Sequence, residues 1–102
     1  MAETLVAEAD VRVDFPQAGE IVTARQYTIR LGAIDAAKAE VSIDNGSWQP
    51  CRFAVGYFWY DWAFYEPGKH TIKARVGTRD GHTIASPLRA FLVRFEKNVK
   101  QN

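Results

Sequence analysis

Apolar residues recur at every second position through almost the whole middle of this chain, and a side-chain period of two belongs to a strand rather than a helix. Val11, Val13 and Phe15 alternate with Arg12 and Asp14, and Pro16 ends the run because it has no amide hydrogen to extend a ladder. Gln17-Ala18-Gly19 reads as a turn. The alternation resumes from Ile21 to Ala33, with Tyr27, Ile29 and Leu31 on one face and Thr28 and Arg30 on the other. That stretch is long for one strand, so a bend or bulge is expected near Arg25. Ile34 to Lys38 has helical propensity but is too short to stand as a helix, and reads as a loop.

Ala39, Val41 and Ile43 make a third inward set, and Asn45-Gly46 marks a turn because both residues tolerate positive φ. Trp48 to Val55 returns as a shorter strand, placed at a sheet edge by Pro50. Tyr57 to Tyr65 is the densest aromatic stretch, and Glu66-Pro67-Gly68-Lys69 turns the chain after it. His70 to Thr78 puts Ile72, Ala74 and Val76 inside, with Lys73 and Arg75 outside. After the turn Arg79-Asp80-Gly81-His82, a last strand from Leu88 to Phe95 carries Phe91, Val93 and Phe95 on one side.

About seven short strands without an amphipathic helix define an all-β chain folded as a two-sheet sandwich or a small barrel. Unequal strand lengths and a proline at an edge favour the sandwich. Its expected span is 11–95, with 1–10 and 96–102 as flexible ends that show little periodic burial. At 102 residues there is room for one domain and not two. Three Trp, four Tyr and six Phe supply enough bulk to anchor a small core.

Charge narrows the function. Thirteen Lys and Arg stand against twelve Asp and Glu, so no basic excess is available to release counterions from a phosphate backbone. Nucleic acid is not an expected partner. Cys51 is the only cysteine, which rules out an intramolecular disulfide and reads as a small buried apolar residue. The first ten residues lack a basic segment followed by an apolar one, so no signal peptide is read, and no apolar run approaches a membrane span. As written, the chain is expected to be cytoplasmic, or periplasmic if it is cut from a longer exported protein.

A more specific pattern lies in the middle: Val41-Ser42-Ile43-Asp44-Asn45-Gly46-Ser47-Trp48, Tyr57-Phe58-Trp59-Tyr60-Asp61-Trp62, Pro67-Gly68-Lys69-His70-Thr71-Ile72-Lys73-Ala74-Arg75 and Asp80-Gly81. It resembles the immunoglobulin-like C-terminal, or dimerisation, domain of sulfite-oxidase-type molybdenum oxidoreductases, and bacterial immunoglobulin-like domains share its turn and Pro-Gly segment. The resemblance implies an immunoglobulin-like sandwich of the E-set type. It also implies a module without catalytic residues of its own, since in that family the cofactor and the catalytic cysteine lie in a separate, larger domain. Cys51 does not match that cysteine.

Residues able to carry chemistry are few. His70, His82 and Cys51 have no metal-site spacing, and both histidines are expected to be solvent-exposed. No phosphate loop, nucleophile elbow or zinc-helix motif occurs. Catalytic, cofactor and metal sites are therefore not expected. Asp44 is explained by its turn, whose backbone N–H groups its side chain can accept. Asp61 lies inside the aromatic strand and needs exposure or a partner, for which Arg75 on a neighbouring strand is the candidate.

Trp59 and Trp62, three apart, fall on opposite faces of a regular strand. Phe58, Tyr60, Trp62 and Phe64 form the more apolar set and go to the core. Tyr57, Trp59, Asp61 and Tyr65 then form an exposed stripe, the candidate interaction surface. Exposed aromatics beside charges suit a protein interface, and the same stripe could stack on sugar rings. Two readings follow. One is an interaction module that forms a homodimer or docks onto a larger, redox protein; the other is a carbohydrate-binding module.

Overall fold

The computed structural model describes residues 11–95; the ends expected to be flexible lie outside the described residues. Strands β1 (Val11–Phe15), β3 (Gln26–Ala33), β7 (Tyr57–Ala63) and β6 (Arg52–Ala54) form one sheet in the order β1-β3-β7-β6. The second sheet runs β2 (Ile21–Val22), β10 (Arg89–Val93), β8 (Gly68–Thr78), β4 (Ala36–Ile43) and β5 (Gln49–Pro50), with β9 (Thr83–Ala85) beside the far end of β8. Among the described residues there is no helix.

Register decides which side chains meet. Val13 lies opposite Leu31 and Leu31 opposite Phe58, so all three point inward from the first sheet. Val41 opposite Ala74 and Ile43 opposite Ile72 answer from the second. Ile29, Leu31, Val41 and Ile72 are wholly buried, and Phe91 nearly so. Each such side chain contributes about 1.5–3 kcal/mol relative to exposure. Arg89 closes the gap between the sheets at one side: its guanidinium donates to the carbonyls of Val13 and Pro16. Ser86, almost fully buried, continues the ladder past β9: its Oγ accepts the Ala74 N–H at 2.9 Å and donates to the Pro87 carbonyl at 3.0 Å.

Several sequence expectations are corrected. Ile21 to Ala33 is not one bent strand, because β2 runs parallel to β10 in the second sheet and β3 antiparallel to β1 in the first. The chain changes sheet between Val22 and Gln26, where Leu92 and Arg94 N–H groups take the Glu20 and Val22 carbonyls at 2.9 Å. Only Ile34 and Asp35 link β3 to β4, with Asp35 at φ 59° making the sharp change of direction. Ala36 to Lys38 is extended, not a loop, because β8 runs on to Thr78 and supplies the partners.

The expected strand from Trp48 to Val55 is split at Cys51 between the two sheets, with Pro50 on the edge strand β5 as its missing N–H requires. The turn after β4 is centred one residue early, on Asp44 and Asn45 at φ 55° and 60°, and closes through Gly46 N–H to the Ile43 carbonyl. Thr83 to Ala85 pairs with β8 although its sequence gave no strand pattern, and the last strand stops at Val93.

Two aromatic side chains change place. Asp14 is an extra residue in β1, a bulge, since Val13 pairs with Leu31 but Phe15 with Arg30. The bulge moves Phe15 from the inner to the outer face. Phe64 is not core: it follows the last residue of β7, adopts φ 62° and is fully exposed.

Candidate interaction face

The outer face of the first sheet is built from alternate residues of four strands. From β7 come Tyr57, Trp59 and Asp61; from β3, Thr28 and Arg30; from β6, Arg52; from β1, Arg12, Asp14 and the bulge-turned Phe15. Arg30 is the centre. Its guanidinium carbon lies 4.1 Å from the Tyr57 ring centroid and 4.9 Å from that of Phe15, while its Nε is 3.2 Å from the Asp14 carboxylate. Each cation–π contact of this half-exposed kind is worth about 0.5–1 kcal/mol. The Tyr57 and Trp59 rings meet edge to face at 5.9 Å and 72°, and the Trp59 indole N–H donates to the Ala54 carbonyl at 2.8 Å. Gly32 keeps the neighbouring surface low: a Cβ there would stand 2.6 Å from an Arg12 guanidinium nitrogen.

Asp61 is exposed and partnered, though not by Arg75. Arg52, its neighbour across β6 and β7, holds it at 2.6 Å, and the Thr28 hydroxyl donates at 3.3 Å. The hydrogen bond from Arg52 lowers its pKa most, against a smaller upward effect of burial, and the Arg52 charge and Thr28 add to the lowering. Arg75 belongs to the other sheet, where it pairs with Glu40 at 2.7 Å and stacks on Trp48 at 4.2 Å. The face therefore carries three guanidiniums, from Arg12, Arg30 and Arg52, against the two carboxylates of Asp14 and Asp61.

Of the residues expected in the stripe, Tyr57, Trp59 and Asp61 are together and Tyr65 is not. Tyr65 lies beyond the end of β7, stacked on Trp62 at 3.8 Å, with Phe95 on its far side at 6.0 Å. Its hydroxyl donates to the Ala24 carbonyl at 2.5 Å, which ties the β7–β8 corner to the crossing between β2 and β3. Phe15, Arg30 and Arg52 were missed as members. Outward parity already marked Arg30, but nothing local marks the bulge or the neighbour that β6 supplies.

The other chemistry-bearing residues are dispersed. His70 is not solvent-exposed: its ring is mostly buried between Trp62 and Phe91. His82 is exposed on the β8–β9 turn beside Asp80, whose carboxyl is brought to about 2, chiefly by the hydrogen bond from Thr78 and then by that from His82. Asp44 accepts the Thr71 N–H at 2.9 Å from the adjacent strand rather than an amide of its own turn. Cys51 is half-buried, and burial pushes its thiol up to about 12, with the Glu40 charge adding. Among the described residues no group of three or more metal-ligating side chains comes together.

A first sheet ordered A-B-E-D facing a second containing G-F-C, lettered along the chain, is the immunoglobulin-like sandwich, here with short extra strands at its edges. At the E–F corner Tyr65 bonds the distant Ala24 carbonyl, unlike the tyrosine corner of this architecture, whose hydroxyl reaches backbone only a few residues upstream.

No family model and no curated protein matches the sequence. Solved structures do match. A fibronectin(III)-like module of Clostridium thermocellum CbhA superposes with a TM-score of 0.72 at 22% identity, over 86% of this chain and 99% of that one. CopC from Methylosinus trichosporium OB3b gives 0.60 at 21%, over 88% and 94%. A modular endo-β-1,4-mannanase of glycoside hydrolase family 26 from Cellulomonas fimi gives 0.66 at 20%; this chain covers 19% of its length. The likeness is one of fold, to fibronectin III-like and CopC-type sandwiches. Nothing in it singles out the molybdenum-oxidoreductase domain.

Proposed function

We propose that this chain is a non-catalytic interaction module that docks through the outer face of its first sheet. The observation that carries the reading is Arg30, held between the rings of Phe15 and Tyr57 beside Trp59. Trp, Tyr and Arg dominate interface energetics, and here intramolecular stacking has already fixed their rotamers, which lowers the entropy lost on binding. The resemblance to a dimerisation domain supports self-association. The likeness to part of a modular enzyme supports docking within a larger assembly.

Sugar binding is the second reading, favoured by the mannanase likeness alone. The geometry weighs against it. A sugar ring stacks on an open aromatic face, whereas Arg30 covers one face of Tyr57 and Trp59 stands at 72° to it.

Sedimentation equilibrium of the wild type and of Trp59→Ala, at concentrations up to about 1 mM, tests self-association. The expected result is a dimer that the substitution weakens about 30-fold or more, as the loss of a hot-spot residue does. A wild type that stays monomeric throughout would exclude self-association. A polysaccharide that shifts tryptophan emission in the wild type but not in Trp59→Ala would move the assignment to sugar.

A further inference from the structure

His70 lies on β8 at the opposite end of β7 from Tyr57, and both its ring nitrogens are engaged. Nδ1 is 2.6 Å from the Asp44 carboxylate in the β4–β5 turn, and Nε2 is 2.7 Å from the Glu66 carbonyl in the β7–β8 corner. An ionised carboxylate and a carbonyl can only accept, so both contacts are hydrogen bonds only when both nitrogens carry protons. We propose that His70 is a proton-operated latch: as an imidazolium it ties the β7–β8 corner to the β4–β5 turn, and on losing a proton it lets the corner go.

The side that releases follows from the partners. In the neutral ring one nitrogen keeps its proton and the other presents a lone pair. A lone pair facing the full charge of Asp44 at this distance is worse than one facing a carbonyl dipole, so Nδ1 keeps the proton and the Glu66 contact is lost. Asp44 has a second anchor, the Thr71 N–H at 2.9 Å, and stays in place. In the corner, Tyr65 is still held by the Ala24 carbonyl and the Trp62 ring. The freed stretch is Glu66 and Pro67, which Gly68, at φ 123°, allows to swing.

The surroundings of the ring are those of a switch. Asp44 is the charged group facing it from the β4–β5 turn, the Glu66 and Tyr65 side chains belong to the corner, Tyr60 lines the same hollow from β7, and Lys69 is its neighbour on β8. β10 contributes the uncharged Phe91 ring, stacked at 5.8 Å. Burial disfavours the charged ring, but the Glu66 carbonyl and the Asp44 carboxylate outweigh it, and the pKa rises above the ordinary 6.5. The folded state therefore binds the proton more tightly than the unfolded chain. The stabilisation is present in full below the unfolded value and fades as pH rises through the folded one.

The test is an NMR pH titration of His70 in the intact chain and in urea, with amide hydrogen exchange corrected for intrinsic rates. The His70 midpoint should lie above that of the urea-unfolded chain. Above that midpoint the ring 15N shifts should report a neutral imidazole protonated on Nδ1, with the Nε2–H that faces Glu66 lost, while the Thr71 amide keeps its protection. Asp44→Asn should lower the midpoint. The latch is refuted by a wild-type midpoint at or below the unfolded value, by a neutral ring that keeps its proton on Nε2, or by loss of Thr71 amide protection across the midpoint.

Discussion

Replacing each tryptophan of β7 by alanine should separate the two faces of that strand. Trp62 is 9% exposed and packs on Tyr65 at 3.8 Å, Phe91 at 5.5 Å and His70 at 5.1 Å. Truncation there opens a cavity in the core and should cost about 3–5 kcal/mol. Trp59 is half-buried on the outer face and loses one hydrogen bond to a backbone carbonyl and one edge contact with Tyr57. Those amount to about 1–2 kcal/mol. With an m-value of about 1.5 kcal/mol/M, Trp62→Ala should lower the urea midpoint by about 2–3 M and Trp59→Ala by about 1 M. Far-UV circular dichroism is the appropriate probe, because each variant removes a fluorophore. Should Trp62→Ala be unfolded in water, Trp62→Phe keeps a ring in the site and should still fall below Trp59→Ala. Equal losses, or the reverse order, would refute the assignment of faces.

Val55 is a β-branched residue at φ 53° in the two-residue turn between β6 and β7, a conformation that costs about 1–3 kcal/mol. Val55→Asn should therefore stabilise the chain by about 1 kcal/mol in urea unfolding, and a loss of stability would show that Val55 makes a contact the turn needs. Cys51, with its thiol pushed up to about 12, should react slowly with iodoacetamide at pH 8 in the native chain and quickly in urea; fast native labelling would contradict its burial. Ser86→Ala removes the hydroxyl that accepts the Ala74 N–H and should cost about 1–3 kcal/mol, read from the same urea transition. A neutral result there would mean that water takes over the bond.

The inner face was legible because burial imposes parity. Ile29, Leu31, Val41, Ile72, Ala74 and Phe91 are where period two puts them, and the split between Trp59 and Trp62 is as the spacing requires. What parity cannot carry is strand order. Asp61 could be given a cross-strand arginine, but choosing Arg52 over Arg75 requires knowing that β6, not β8, lies beside β7. Parity also fails where a strand stops. Phe64 and Tyr65 follow Ala63 in sequence, yet φ 62° at Phe64 sends one ring into solvent and the other onto Trp62. The same limit governs the candidate face. Val-Asp-Phe reads as regular alternation whether or not the ladder slips, and only the pairing of Phe15 with Arg30 instead of the residue parity calls for shows that it does. With regular pairing Phe15 would fall on the inner side and Arg30 would lose one of its two rings. One extra residue at Asp14 thus converts a core phenylalanine into the flank of a cation held between aromatics, and the most distinctive part of the face is set by a bulge that the amino-acid pattern does not announce.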